Sequence, residues 1–119
     1  MDNYVIRMLG LAHRAGKTVF GTALVRDAVR GHKKPSLVLL ASDASENTKK
    51  RISDSCTFYG VELARLDISG EELAKVLGKA SDVMCVAVTD ESMANAMKEK
   101  IDETMFIKAD NGESAGGRA

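Results

Sequence analysis

Helix-like and strand-like hydrophobic patterns alternate along this chain. In the first segment, from Asn3 to about His13, apolar residues recur with the spacing of one helix face, and they are Val5, Met8, Leu9 and Ala12. The same spacing recurs over 22–30 and 46–59. It appears again between Ser69 and Gly78, and in a last segment that begins after Thr89 or Asp90. The pattern therefore predicts five helices.

Short β-like runs separate these helices. Thr18–Phe20 is rich in β-branched and aromatic residues, and the segment from Val61 to Leu66 alternates like a half-exposed strand. The segments Ser36–Ala41 and Val83–Val88 are continuous apolar runs, which are typical of strands covered on both faces. We predict about four strands with helices on both faces, an α/β protein folded as a three-layer α/β/α sandwich. Alternation alone leaves the order and direction of the strands open.

Residues at the helix ends support these boundaries. Gly16 and Gly31 stand where the first two helices should stop. Ser45 can cap the third helix, and Ser69 with Glu72 has capping-box spacing at the start of the fourth.

The length and composition fit one domain. A chain of 119 residues that is 45% hydrophobic can bury an ordinary core. We assign residues 1–106 to this domain and expect residues 107–119, which are rich in glycine and poor in apolar groups, to form a disordered tail. No apolar run is long enough to span a membrane, and the N-terminus has no signal-like core, so we expect a cytoplasmic protein. We also expect a monomer.

The net charge of zero conceals an uneven distribution. Residues 1–52 hold ten Lys plus Arg against four Asp plus Glu, whereas residues 53–119 hold seven against thirteen. A basic half is what a phosphate-binding face requires, although both halves could also mix on one compact surface. Cys56 and Cys85 form no C-x-x-C pattern, and we expect buried free thiols.

The most suggestive site lies between Arg14 and Asp27. A helix that begins at Gly21 and Thr22 presents unpaired N–H groups and the positive end of its dipole to an anion. Cations accompany this stretch and the start of the third helix, and they are Arg14, Lys17, Arg26, Lys49, Lys50 and Arg51. Lys49 and Lys50 lie at the start of the third helix, where cations oppose the helix dipole. This small local cost favours an anionic partner, and the alternative is that the two lysines only form a solvated helix face.

Enzymatic readings find little support in the sequence. Ala15–Thr18 looks like the end of a phosphate-binding P-loop, but Leu11 stands where that motif needs glycine, and the preceding segment has helical periodicity. His13 and His32 are too isolated for metal-ligand spacing. Ser45, Ser69 and Ser92 lie where caps are expected and lack a nucleophile elbow. We therefore expect neither catalysis, nor a metal, nor a cofactor.

Taken together, these motifs resemble the L-seven-Ae family of kink-turn RNA-binding proteins, and especially its small bacterial, ribosome-associated branch. The resemblance runs from about Ile6 to Met97. It rests on the segments Leu9–Lys17, Gly21–Thr22, Leu37–Lys50, Leu77–Gly78 and Val83–Val88. It implies an α/β/α sandwich of the ribosomal protein L-thirty-e type and a function in binding structured RNA such as ribosomal RNA, with ribosomal proteins as a further class of partner.

The resemblance also implies where the RNA site lies, and this sequence departs from the family's pattern at that site. In the family, a Gly-Thr start of the second helix is followed by Asn and Glu, with Lys three positions further on, and these side chains read tandem sheared G·A pairs. Here Gly21 and Thr22 match, but Ala23, Leu24 and Asp27 stand at the reading positions. Ala23 and Leu24 cannot hydrogen-bond base edges, and Asp27 repels phosphate. The family's apolar loop before the last strand corresponds to the segment that contains Ser81, Asp82 and Val83, where Asp82 adds an acid.

Two hypotheses follow. The first is a non-enzymatic protein that binds kink-turn-like RNA through the start of the second helix, the cations and the loop 81–83. The alternative is a protein-interaction module of the same fold that has lost kink-turn recognition and binds through Ala23 and Leu24. A nucleotide-binding enzyme is a weaker third possibility.

Overall fold

The computed structural model describes residues 3–108. The expected tail therefore lies, apart from Ile107 and Lys108, outside the described residues. The helices are α1 (Asn3–Arg14), α2 (Thr22–Arg30), α3 (Glu46–Tyr59), α4 (Gly70–Val76) and α5 (Glu91–Lys100), and the strands are β1 (Thr18–Phe20), β2 (Leu37–Leu40), β3 (Leu63–Arg65) and β4 (Cys85–Val88). The five predicted helices and four predicted strands are thus confirmed. A 3₁₀ turn over Glu103–Met105 follows them.

The predicted caps form at α3 and α4. The Ser45 side chain accepts a hydrogen bond from the Thr48 N–H, and Ser69 and Glu72 make the reciprocal bonds of a capping box. At α5 the cap is Asp90, which accepts from the Met93 N–H at 2.9 Å. Ser92, predicted near a cap, lies inside α5 instead.

The strands form one mixed sheet in the order β1-β4-β2-β3. β4 lies in the interior and runs antiparallel to both β1 and β2, whereas β2 and β3 are parallel. It follows that β1, β2 and β3 all point the same way, so their C-terminal ends meet at one edge of the sheet. The helices that follow them begin at that edge.

Helices cover the sheet on both faces, as the continuous apolar runs predicted. All four residues of β2 and of β4 are buried. Leu37, Leu39, Val86 and Val88 pack with α1, α4 and α5 in one core cluster, while their neighbours pack with α2 and α3 in the other. This confirms the three-layer arrangement.

β3 differs from the half-exposed strand that its sequence predicts. Leu63 and Ala64 are both buried, and only Arg65 is partly exposed. The reason is tertiary, because Leu63 packs in the α2 and α3 cluster and Ala64 in the α1, α4 and α5 cluster. The outer edge of β3 is covered in addition, since Phe106 forms a bridge with Ala64 and the Ile107 N–H donates to the Leu63 carbonyl at 2.8 Å.

Candidate nucleic-acid interface

The sheet edge where β1, β2 and β3 end brings together segments that are distant in sequence. These are the start of α2 at Gly21–Leu24, which we call the α2 tip, the starts of α3 and α4, and the pre-β4 loop, Lys79–Met84. They meet because the three parallel strands deliver their helices to the edge at which β4 begins. This shared edge is the candidate interface.

The α2 tip differs from the starts of α3, α4 and α5 in its capping. Side chains of Ser45, Ser69 and Asp90 cap α3, α4 and α5, but Gly21 at the N-cap of α2 offers none. In the described part of the chain, no hydrogen-bond acceptor faces the N–H groups of Thr22, Ala23 and Leu24. Such N–H groups, together with the helix dipole, favour an anion such as phosphate.

Gly21 holds the tip in place through its backbone. Its N–H donates to the Cys85 carbonyl at 2.9 Å, which ties the tip to the first residue of β4. Its φ of 96° lies in a region that favours glycine, and this conformation turns the chain from β1 into α2. The turn leaves Ala23 and Leu24 exposed, with Leu24 58% accessible.

The pre-β4 loop is fixed from beneath. Val83 is buried and its N–H donates to the Gly70 carbonyl at 3.0 Å, while the Gly70 N–H donates to Asp43 Oδ1 at 2.8 Å. A Cβ on Gly70 would overlap the Met84 side chain. Asp43 thus connects the turn after β2 to the start of α4. Ser81 and Asp82 are exposed, whereas the side chain of Val83 is buried and is not accessible to a ligand.

A contact that the sequence did not indicate joins this loop to the end of β1. The Lys79 Nζ lies 4.7 Å from the centroid of the Phe20 ring, close enough for a cation–π interaction. The other neighbour of the ring is His13, edge-on at 5.9 Å, whose Nδ1 lies 2.8 Å from Thr18 Oγ1. Lys79 thereby adds a cation close to the α2 tip. No local pattern reveals it, because residues 20 and 79 meet only through the fold.

The predicted cations Arg26, Lys49, Lys50 and Arg51 lie on α2 and α3, the two helices of one layer, which both begin at the interface. Arg26 lies one turn after Thr22, on the same side of α2, and its Nε is buried without a hydrogen-bond partner among residues 3–108. In the first turns of α3, Lys49 pairs with Glu46 at 3.2 Å and Lys50 with Asp54 at 3.3 Å. Arg51 is exposed. These exposed ion pairs are weak enough to exchange for phosphate contacts.

Arg14 is the last residue of α1, and Lys17 comes directly before β1. The Lys17 carbonyl accepts from the Thr89 N–H at 2.8 Å, which places Lys17 where β4 ends, at the opposite edge of the sheet. Three residues of β1 separate it from the α2 tip, about 10 Å at strand spacing. Arg14 folds back along α1, with Nη1 3.9 Å from where a Cβ on Gly10 would stand. β1 thus separates Lys17 from the α2 tip, whereas Arg14 lies beside Gly10 near the end of α4.

The described residues also include a cavity and two cysteines. A cavity of about 640 Å³ lies beside β3, lined by residues that include Glu62, Lys98 and Phe106, at the far side of the sheet from β1. Within residues 3–108, no three His, Cys, Asp or Glu side chains are grouped to hold a metal ion. In the same range, the helices are all too short or too polar to cross a membrane. Cys56 and Cys85 are buried and free, as predicted, and burial raises the pKa of the Cys56 thiol to about 12.

Comparison with known proteins agrees with the resemblance noted in the sequence. Residues 5–98 match the pattern of the ribosomal protein L7Ae/L30e/S12e/Gadd45 family. Two relatives are each named RNA-binding protein YlxQ. The one from Bacillus subtilis (strain 168) is 41% identical over 95 residues, covering 80% of this chain and 92% of its own. The one from Enterococcus faecium is 36% identical over 97 residues, covering 82% and 90%.

A solved structure shares the fold. It is a protein of unknown function from Bacillus halodurans C, with a TM-score of 0.75 and 30% sequence identity, and the match covers 83% of this chain and 97% of that one. The fold predicted from the hydrophobic pattern is therefore shared by a solved structure.

Proposed function

The chain belongs to the ribosomal protein L7Ae/L30e/S12e/Gadd45 family, and on that premise we propose that it binds structured RNA through the α2 tip, without catalysis. The observation that carries this proposal is the uncapped start of α2. Three backbone N–H groups there have no acceptor among the described residues, while α3, α4 and α5 have side-chain caps. Relatives named RNA-binding proteins support the same class of partner.

The proposed RNA is kink-turn-like and ribosomal or ribosome-associated. Ala23 and Leu24 have no groups that hydrogen-bond base edges, so recognition would rely on backbone N–H groups and on the cations Arg26, Lys79 and Lys49–Arg51. Such contacts hold phosphates and respond to the path of the RNA backbone more than to its bases. A sharply bent backbone would present phosphates to the tip and to the start of α3 at once. Shape would then replace the base contacts as the source of selectivity.

The direct test is binding to a duplex that contains a kink-turn with tandem G·A pairs, beside the same duplex with those pairs made Watson–Crick, across a salt series. We expect tighter binding to the kink-turn. Equal binding with a steep salt slope would instead indicate phosphate-driven binding of another RNA. If neither duplex binds at low salt, the RNA proposal fails.

One observation favours a second candidate function. Leu24 is 58% exposed beside the exposed Ala23, so the tip presents an apolar surface next to its free N–H groups. A ribosomal protein could bind this surface. In that case Leu24→Asp would abolish a protein interaction in a pull-down with ribosomal proteins and leave RNA affinity at its low starting value.

A further inference from the structure

The C-terminal ends of α2 and α3 meet at the sheet edge opposite the α2 tip, and they carry aromatic and basic side chains that we call the Phe58 cluster: Arg30, Lys33, Lys34, Phe58 and Tyr59. The Lys34 Nζ lies 4.8 Å from the centroid of the Tyr59 ring and donates to the Gly31 carbonyl at 2.8 Å. The Phe58 and Tyr59 rings are edge-to-face, with centroids 4.8 Å apart. A series of contacts thus connects the end of α2 to Phe58.

Phe58 contributes little to the fold. Its side chain is 78% exposed, more than Leu11 at 47% or Leu24 at 58%, the other exposed large apolar residues in the described range. Burial of a large apolar side chain normally stabilises the fold, and this exposed ring gives up most of that contribution. An aromatic ring that is mostly open to solvent, and that is in edge-to-face contact with a second ring, is suited to stacking on another flat group.

The charged residues at the end of α2 and in the turn that follows it are positive. Arg30, Lys33 and Lys34 are exposed, and none of them takes part in an ion pair between described residues. Residues 28–42 contain no acid. On α3, Asp54 lies one turn before Phe58, but Lys50 pairs with it at 3.3 Å. The Phe58 cluster therefore combines an open ring with unpaired cations, which is the combination that single-stranded nucleic acid requires.

We propose that the Phe58 cluster binds an unpaired stretch of RNA, with a base stacked on Phe58 and phosphates held by Lys33, Lys34 and Arg30. This inference rests on the proposed function, because the strand would continue from the structured RNA at the α2 tip. The nine residues of α2 separate the two places by about 13 Å. An RNA strand that runs along the α2 and α3 layer would pass Arg26 and Lys50 between them. Stacking makes this second contact tolerant of base identity.

The experiment compares a blunt kink-turn hairpin with the same hairpin carrying a single-stranded uridine tail of about ten nucleotides, added at either end in separate RNA molecules. The variants are Phe58→Ala, a Lys33→Gln, Lys34→Gln pair, and the control Leu11→Ala, which removes another exposed apolar side chain from the opposite helix layer. Because Phe58 is exposed, its variant should keep the wild-type thermal unfolding midpoint.

The wild type should bind one tailed hairpin more tightly than the blunt hairpin. Phe58→Ala should weaken binding of that tailed RNA about five- to a hundredfold and leave the blunt RNA unchanged. The lysine pair should reduce the salt slope for the tailed RNA by about two units. Amide chemical shifts of 30–34 and 58–60 should move with the tail, and those of 21–24 with the hairpin.

Two results would overturn the inference, and they are distinguishable. If the blunt hairpin binds but neither the tails nor Phe58→Ala changes the affinity, the proposed function stands and the Phe58 cluster does not bind RNA. A protein would then be the partner to test for this cluster. If neither RNA binds at low salt, the proposed function fails and the inference fails with it.

Discussion

The backbone N–H of Gly21 donates a 2.9 Å hydrogen bond to the carbonyl of Cys85. This bond links the last turn before α2 to the first residue of β4, so it positions the α2 tip against the sheet. It depends on a φ of 96° and a ψ of 140° at Gly21, values almost restricted to glycine.

Gly21→Ala should therefore destabilise the protein by backbone strain alone. A Cβ at this position meets no atom within 4 Å, so crowding makes no contribution. We expect a loss of about 3 kcal/mol in the free energy of unfolding, measured with urea. The control is Gly60→Ala at φ 74° and ψ 32°, a left-handed helical conformation that should cost only about 1 kcal/mol. Equal losses at the two positions would contradict this reasoning.

Thr22→Pro tests whether the free N–H groups of the α2 tip hold phosphate. Thr22 is the first residue of α2, where proline fits the helix and removes only an N–H that has no intrahelical partner. We expect RNA affinity to fall about ten- to a hundredfold, as for loss of a hydrogen bond to a charged group, with little change in stability. The measurement is a binding titration at constant salt.

The matched control for Thr22→Pro is Glu91→Pro, because Glu91 is the first residue of α5, at the edge of the sheet opposite the α2 tip. It should leave RNA affinity unchanged. If both proline variants bind RNA like the wild type, the α2 N–H groups are not phosphate ligands.

A combined Ala23→Asn, Leu24→Glu, Asp27→Lys variant should increase the preference for a kink-turn over its Watson–Crick counterpart. These changes restore the side chains that the family resemblance places at the reading positions, and each good base contact contributes about 1 to 3 kcal/mol of discrimination. Asp27→Lys alone should strengthen the binding of both RNAs and increase the salt slope of that binding by about one unit. The readout is the affinity ratio of the two duplexes.

Glu99→Lys, an equal charge reversal on the exposed side of α5, is the control for the Asp27 variant. It should have little effect on either duplex. A preference that stays at the wild-type value in the combined variant would show that the tip of α2 does not contact the G·A pairs.

Stability should fall at alkaline pH because of the buried thiols. Burial raises the pKa of Cys56 from 9.0 to about 12, and it also raises that of Cys85. A pKa that is higher in the folded state contributes stability that is complete below pH 9 and is lost as the pH rises towards 12. The free energy of unfolding should therefore decline above pH 9. The slope of this decline should be smaller in a Cys56→Ala, Cys85→Ala variant, and identical slopes would argue against the thiols as its cause.

The helices were predictable because their signals are local. Ser45, Ser69 and Glu72 mark helix starts by hydrogen bonds that span only three residues, and the apolar spacing of α2 and α3 predicts their ends correctly. The Thr89-or-Asp90 ambiguity at α5 was settled by geometry, since the Asp90 carboxylate reaches the Met93 N–H. The alternating pattern of β3 predicted a half-exposed strand, which was wrong because core clusters on both faces of the sheet bury the adjacent residues Leu63 and Ala64.

The candidate site was only partly predictable. Gly21 and Thr22 indicated an anion-facing helix start from sequence alone. In contrast, Lys79 reaches Phe20 only because the loop before β4 passes the end of β1. Lys17 is close to Gly21 along the chain, which is why it was predicted with the α2 tip, but its carbonyl accepts from Thr89 at the opposite edge of the sheet.

The sequence by itself determined the elements, the two-sided burial of β2 and β4, and the helix start that lacks a capping side chain, because each depends on residues within a few positions of one another. The tertiary structure decided the strand order and direction, and with them which helix ends share an edge. Because β4 pairs antiparallel with both β1 and β2, and β3 pairs parallel with β2, the strands β1, β2 and β3 run in one direction, and this brings the α2 tip, the start of α3 and the pre-β4 loop together. Contacts between such distant segments follow from how the chain packs, and no local pattern encodes them.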